Sequence, residues 1–168
     1  MKTILVIEDN VEVRENLVEI LELSNYLTIQ APNGKLGAKL AKEHMPDLIL
    51  CDVMMPELDG FGVLRILNTD ASTYDIPFIF LTAKVAKEDF RKGMGLGADD
   101  YITKPFDDVE LLDAIPMRLK KNERINKIAQ NSDHSLQTFF SEAKAHEALS
   151  NLSEQREIRS YRKKDAIY

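Results

Sequence analysis

Three carboxylates, a hydroxyl and an ammonium stand at the ends of short apolar runs in this chain. Glu8 and Asp9 follow ILVI, Asp52 closes LILCD, Thr82 follows FIFL, and Lys104 follows YIT. A carboxylate at the tip of a buried strand carries a desolvation cost unless a cation or a hydrogen-bond donor meets it. Glu8, Asp9 and Asp52 offer hard oxygen ligands, and three carboxylates cannot share a site fully ionised without a counter-charge. A divalent cation would supply one, and Mg2+ suits a few carboxylates with water and a phosphate completing its octahedron. Lys104 then offers a point-charge donor to one phosphoryl oxygen, and Thr82 offers a hydroxyl to another. Asp52, at the centre, can be the nucleophile that forms an acyl phosphate. Phosphoryl transfer asks for in-line positioning and charge neutralisation, and this set supplies both. Taken singly, each residue has a plainer role: Asp9 as a helix cap, Asp52 in a turn, Lys104 at the surface, Thr82 as a β-former. Their joint placement at the ends of four strands is what points to a site.

Those ends depend on the elements behind them. TILVIE, YLTIQA, DLILCD, IPFIFLTA and DDYIT read as strands, with Pro77 near the start of the fourth, where a missing N–H is tolerated. VEVRENLVEILEL reads as a helix opened by an Asn10 cap, and NGKLGAKLAKEHM as a second, capped by Asn33 and stopped by Pro46. GFGVLRILN gives a third helix after the Pro56 to Gly60 loop, KEDFRKGMGLG a weaker fourth, and a fifth begins at Asp107 or Asp108. Strands alternating with helices predict an α/β, doubly wound, five-stranded parallel sheet covered on both faces. In such folds ligands gather outside the carboxyl ends of the strands, which is where the candidate residues fall.

The rest of the chain sets boundaries on this reading. The 168 residues are 44% hydrophobic and 30% charged, as in a soluble globular protein. No apolar stretch approaches the roughly 20 residues needed to cross a bilayer, so no membrane role is expected. MKTILVIEDN has too short an apolar region, and no small-residue cleavage site, to be a signal peptide. The single cysteine, Cys51, fits a reducing, cytoplasmic setting, and its apolar flanks mark it as a core residue. Net charge is uneven: residues 1–116 hold 11 Lys and Arg against 21 Asp and Glu, while residues 117–168 hold 11 against 7. Two different segments are implied. In the second, Leu111, Leu112, Ile115, Leu119, Ile125 and Ile128 continue a helical stripe, and Pro116 within it predicts a kink or a one-turn break. Leu136, Phe139, Phe140, Ala143, Leu149 and Leu152 read as the apolar face of a further helix, capped by Ser132 or Asp133.

The stretches ILVIEDN, LILCDVMMPELDGFGVLR, PFIFLTA and GADDYITKPF together resemble the receiver domain of bacterial two-component response regulators, over residues 1 to about 121. The resemblance implies a flavodoxin-like fold with strand order 2-1-3-4-5; beyond it, the apolar stripes give a helical C-terminal linker or extension over 122–168. It implies that Asp52 accepts a phosphoryl group from a histidine kinase or phosphotransfer protein, with Mg2+ required. Asp9 would bind the metal directly, Glu8 through water, and Met54 through its backbone carbonyl. Lys104 would pair with the phosphoryl group, Thr82 would move toward it, and Tyr101 would turn inward behind it as an aromatic switch. In the family the residues two beyond the phosphoacceptor and two beyond the Thr modulate phosphoryl lifetime. Here they are Met54 and Lys84, and slow self-dephosphorylation is expected because Met54 cannot orient a water.

Departures from the pattern concern assembly and output. Winged-helix members carry an Arg four residues after the Glu of the last helix, paired with an Asp of the fifth strand. Asp100 is present, but the position four after Glu110 is Ala114, with Pro116 close behind. The symmetric dimer through helix four, strand five and helix five is therefore set against a dimer through the C-terminal helices. The ending SYRKKDAIY resembles the entrance to the cyclic-nucleotide-binding roll of catabolite-activator and fumarate–nitrate regulators. On that resemblance the chain would stop short of an effector module, and DNA would be met only through that module. The rival expectation is a stand-alone receiver whose helical tail binds a partner. A Mg2+-dependent aspartyl phosphohydrolase is disfavoured, because Met54 stands where such enzymes place a second Asp. Gly93, Gly95 and Gly97 lack nucleotide-loop spacing, and His44, His134 and His146 lack ligand spacing.

Overall fold

The computed structural model describes residues 1–83, 91, 93–120, 122 and 123. They belong to one compact unit, Met1–Glu123. The further helix expected over 132–152, and the likeness of SYRKKDAIY to an effector entrance, lie outside the described residues.

Five strands, β1 (Thr3–Ile7), β2 (Leu27–Ala31), β3 (Leu48–Asp52), β4 (Phe78–Thr82) and β5 (Asp100–Thr103), form one sheet in the order β2-β1-β3-β4-β5. Every pairing is parallel. Helices α1 (Val11–Leu23), α2 (Gly34–His44) and α3 (Gly60–Asn68) connect them, and a further helix covers residues 108–120. The fold is the flavodoxin-like one the resemblance implies.

The two-residue period of the strands sorts the core into two layers. Leu5, Ile7, Ile49, Cys51, Phe78 and Phe80 face α2 and α3. Ile4, Val6, Leu48, Leu50, Ile79 and Leu81 face α1 and the 108–120 helix. β3 and β4 are buried at every position, which is why their sequences are apolar without alternation.

Side-chain caps fix where the helices begin. Asn10 accepts from the Val13 N–H, Asn33 from Leu36, and Asp59 from Gly62. Asn10 and Asn33 fulfil the expected caps. α2 ends at His44, with Met45 in the left-handed region at φ 48° before Pro46.

Of the two outcomes expected at Pro116, a kink or a one-turn break, the break does not occur: residues 108–120 are helical throughout. The reason is packing. Leu111, Ile115 and Leu119 are buried against the sheet from one face of that helix. Each buried aliphatic contributes about 1.5–3 kcal/mol, so the three outweigh the ~3 kcal/mol cost of an internal proline.

α2 lies close to the β3–α3 loop because Gly34 has no side chain. A Cβ there would overlap the Leu58 carbonyl oxygen and sit 2.9 Å from Val63 Cγ2. Gly34→Ala is expected to lower unfolding free energy by about 1–3 kcal/mol, the usual cost of overpacking a rigid contact. Urea denaturation measures it, and an unchanged midpoint would show that the loop yields freely.

Candidate functional site

Parallel pairing brings the carboxyl ends of β1, β3, β4 and β5 to one edge of the sheet. Ile7 pairs with Cys51, Asp52 with Leu81, and Thr82 with Thr103. Glu8, Asp52, Thr82 and Lys104 therefore leave the sheet side by side. The Glu8 N–H donates to the Ala31 carbonyl, and the Lys104 N–H to the Thr82 carbonyl at 2.7 Å, so the strand ladder extends into the site.

The acidic cluster forms as expected. Carboxylate oxygens of Glu8, Asp9 and Asp52 lie within 4.8 Å of one another. Glu8 is 1% exposed and Asp52 6%, whereas Asp9 faces solvent. Lys104 Nζ stands between the two buried acids, 2.5 Å from Glu8 Oε2 and 3.2 Å from Asp52 Oδ2. The ammonium thus neutralises part of a charge that burial makes costly. Burial, joined by the Asp52 charge, still holds the Glu8 carboxyl above the usual carboxylate range. The Lys104 ammonium and the Asn10 N–H oppose that rise. A cluster with three acids and one ammonium has ligand atoms and net charge to spare for a divalent cation. The donor set, all hard oxygens, fits Mg2+.

The remaining expected residues are arranged around this cluster. Thr82 is 3% exposed at the tip of β4. Met54 is 72% exposed, on the loop just past Asp52. Tyr101 sits further back on β5, half-buried, its ring centroid 4.9 Å from that of Phe80. Cys51 is fully buried and its thiol is pushed well up by desolvation, which leaves it a core residue and not a nucleophile.

Four contacts escaped the sequence reading. Arg14, on α1, donates from Nη1 to the Glu8 carbonyl at 2.8 Å, bracing the acidic pair from behind. Asp59 caps α3, and the Gly60 N–H donates to the Val53 carbonyl, which fixes the loop that leaves Asp52. Asp100 is paired after all: Arg118 donates to its Oδ2 from Nη2 at 2.7 Å and from Nε at 3.1 Å. The expected partner position, 114, lies one helical turn before 118 on the same face, so the charge has moved along the helix without leaving it.

A doubly wound sheet with an acidic cluster and a lysine at its carboxyl edge defines a phosphoryl-handling class of α/β domain. The chain belongs to the response regulator receiver domain family, whose model matches residues 4–116. It is 40% identical over 133 residues to the DNA-binding dual master transcriptional regulator RpaA of Synechocystis, covering 79% of this chain and 55% of that protein. It is 39% identical over 120 residues to the phosphate regulon transcriptional regulatory protein PhoB of Pseudomonas aeruginosa, covering 71% and 52%. The chain thus spans about half the length of the curated relatives it matches. The receiver domain of a signal transduction histidine kinase from Syntrophus aciditrophicus superposes with a TM-score of 0.67 at 36% identity, covering 72% of this chain and 92% of that one. No helix among the described residues is long and apolar enough to cross a membrane.

Proposed function

We propose that this chain is the phosphoacceptor module of a two-component regulator, with residues 1–121 as the receiver and 122–168 leading to its output. The observation that carries the reading is Lys104 held between buried Glu8 and Asp52 beside the solvent-facing Asp9. Asp52 Oδ attacks the phosphorus of a phosphohistidine; the nitrogen–phosphorus bond breaks, an acyl phosphate forms, and the histidine leaves to take up a proton. Glu8, Asp9, Asp52 and the Met54 carbonyl would hold Mg2+, which supplies positive charge to the transferring phosphoryl oxygens. Lys104 meets one of those oxygens and Thr82 approaches another. A cleft of about 510 Å3 opens beside Lys104, lined by Glu12, Val13, Asn16, Pro105 and Phe106, and gives a phosphodonor protein a place to approach.

Transcription is the output we assign, because the relatives RpaA and PhoB are named as transcriptional regulators. DNA would be met through an effector region, which the likeness of SYRKKDAIY assigns to the catabolite-activator kind. Pairing two receivers through the β5 face would bring the Asp100–Arg118 pair of each chain to the interface.

Incubation with Mg2+ and a small acyl-phosphate donor tests the reading: a stoichiometric phosphoryl adduct is expected by intact-mass measurement. Rapid multiple turnover with no adduct would replace it with a phosphohydrolase. The adduct should also be long-lived. Met54→Asn supplies an amide to orient water and is expected to hasten acyl-phosphate loss several-fold; an unchanged decay rate sinks the role given to Met54.

A further inference from the structure

Tyr101 rests in a notch that exists only because residue 93 is glycine. A Cβ at Gly93 would overlap the Tyr101 hydroxyl oxygen and lie 2.6 Å from Cζ and 2.9 Å from Cε2. On its other side the ring packs on Phe80. The tyrosine is thus held between a strand side chain and a bare stretch of helix backbone.

The backbone beneath the notch is pinned. Residues 93–95 are helical, and the turn closes with the Ala98 N–H on the Gly93 carbonyl and the Gly97 N–H on the Met94 carbonyl. Gly97 takes φ +93°, as this C-terminal closure needs. Asn68 Nδ2 donates to the Leu96 carbonyl, and the Asp99 N–H donates to the Phe78 carbonyl. Gly93 is therefore fastened to the chain that enters β5 a few residues before Tyr101. It cannot retreat without breaking that closure, so the ring must yield.

We propose that Gly93 is the positioning residue for Tyr101, setting where its ring can lie and coupling its movement to the helical turn at 93–95. The proposal rests on the phosphoacceptor reading only for what makes Tyr101 move. A side chain at 93 evicts the ring whether or not Asp52 is modified, and the response of Tyr101 is then lost. Gly95 provides a matched control on the same turn. A Cβ there meets nothing within 4 Å, and Gly→Ala brings the same gain in helix propensity at both positions.

The test uses the full chain labelled with 3-fluorotyrosine, the Tyr101 fluorine resonance being the one missing in Tyr101→Phe. Spectra are taken before and after phosphorylation by a small acyl-phosphate donor with Mg2+. Gly93→Ala is expected to shift the Tyr101 resonance before phosphorylation and to abolish its further movement, while Gly95→Ala behaves as wild type. A Gly93→Ala resonance that coincides with wild type and still responds overturns the proposal. Urea midpoints give a second check. In a Tyr101→Ala background the effects of Gly93→Ala and Gly95→Ala should become equal; a Gly93→Ala loss that persists there also overturns it. Should wild type take up no phosphoryl group, the phosphoacceptor reading fails by itself, and the unmodified variants still decide the notch.

Discussion

An Asp52→Asn chain is expected to take up no phosphoryl group from an acyl-phosphate donor while remaining folded. The amide nitrogen and carbonyl of Asn lack the nucleophilic oxygen that an acyl phosphate requires, so the loss is complete and not graded. Glu8 and Asp9 cannot substitute. The Glu8 Oε2 is engaged by Lys104 and its Oε1 accepts from the Asn10 N–H, while Asp9 lies on the solvent side. Stability should move the other way. Three carboxylates share one ammonium, so removing the charge at 52 relieves repulsion, and without metal the variant should melt no lower than wild type. Mg2+ affinity falls by at least about tenfold, since even loss of an outer-shell partner costs that much. Intact-mass measurement, thermal melts and Mg2+ titration read the three effects. An adduct on the Asn variant would move the phosphoacceptor elsewhere.

Lys104→Ala has the second large effect, and its pH dependence identifies the cause. The substitution leaves Glu8, 1% exposed, and Asp52 without their shared cation. Breaking a buried pair costs about 3–5 kcal/mol. The low end applies at neutral pH, because the Lys104 side chain keeps 17% exposure and water reaches the site. Burial already holds the Glu8 carboxyl above its ordinary value of 4.5, and the ammonium is one of the influences restraining that rise. Without it the folded-state value climbs further. A carboxyl raised in the folded state favours folding fully below its unfolded value, and that contribution is lost as pH rises through the folded value. The deficit of Lys104→Ala is therefore smallest in acid below the unfolded Glu8 value, and grows as pH rises toward neutrality. Mg2+ should recover part of it by restoring positive charge. Denaturation at acid and neutral pH, with and without Mg2+, makes the comparison. A deficit constant across that range would assign Lys104 a packing role instead.

Much of this arrangement is legible in the amino-acid order, for physical reasons. β3 and β4 announce themselves as apolar runs because they are covered on both faces. Glu8, Asp9, Asp52, Thr82 and Lys104 stand out because polar groups directly after such runs must sit at strand ends. The caps Asn10 and Asn33 were visible as polar residues opening amphipathic stretches. Asp59 carried the same signal before GFGVLR, and was obscured by the proline and glycine around it.

Less could be seen where the outcome depends on tertiary competition. Local rules allow either a kink or a break at Pro116, and Leu111, Ile115 and Leu119 decide against the break by holding the helix through it. The Asp100–Arg118 pair is hidden because the family spacing points to position 114, four after Glu110, although a helix presents 114 and 118 on the same face. Arg14 gave no sign at all. Its contact is to a main-chain carbonyl, and a carbonyl leaves no trace in side-chain patterning. The Gly93 notch belongs to the same group: a glycine in a weak helix says nothing of the ring that will fill its space.

The strand order has a mechanical corollary. Asp52 ends the middle strand of the five, and Tyr101 rides on a rim strand with only β4 between them. Two ladder spacings of about 4.8 Å separate centre from rim. On the phosphoacceptor reading, a charge placed at the centre of the sheet lies two strand positions from the strand that carries Tyr101. Only β4 then separates the acceptor strand from the switch strand, so the expected signal has one ladder to cross on either side of it.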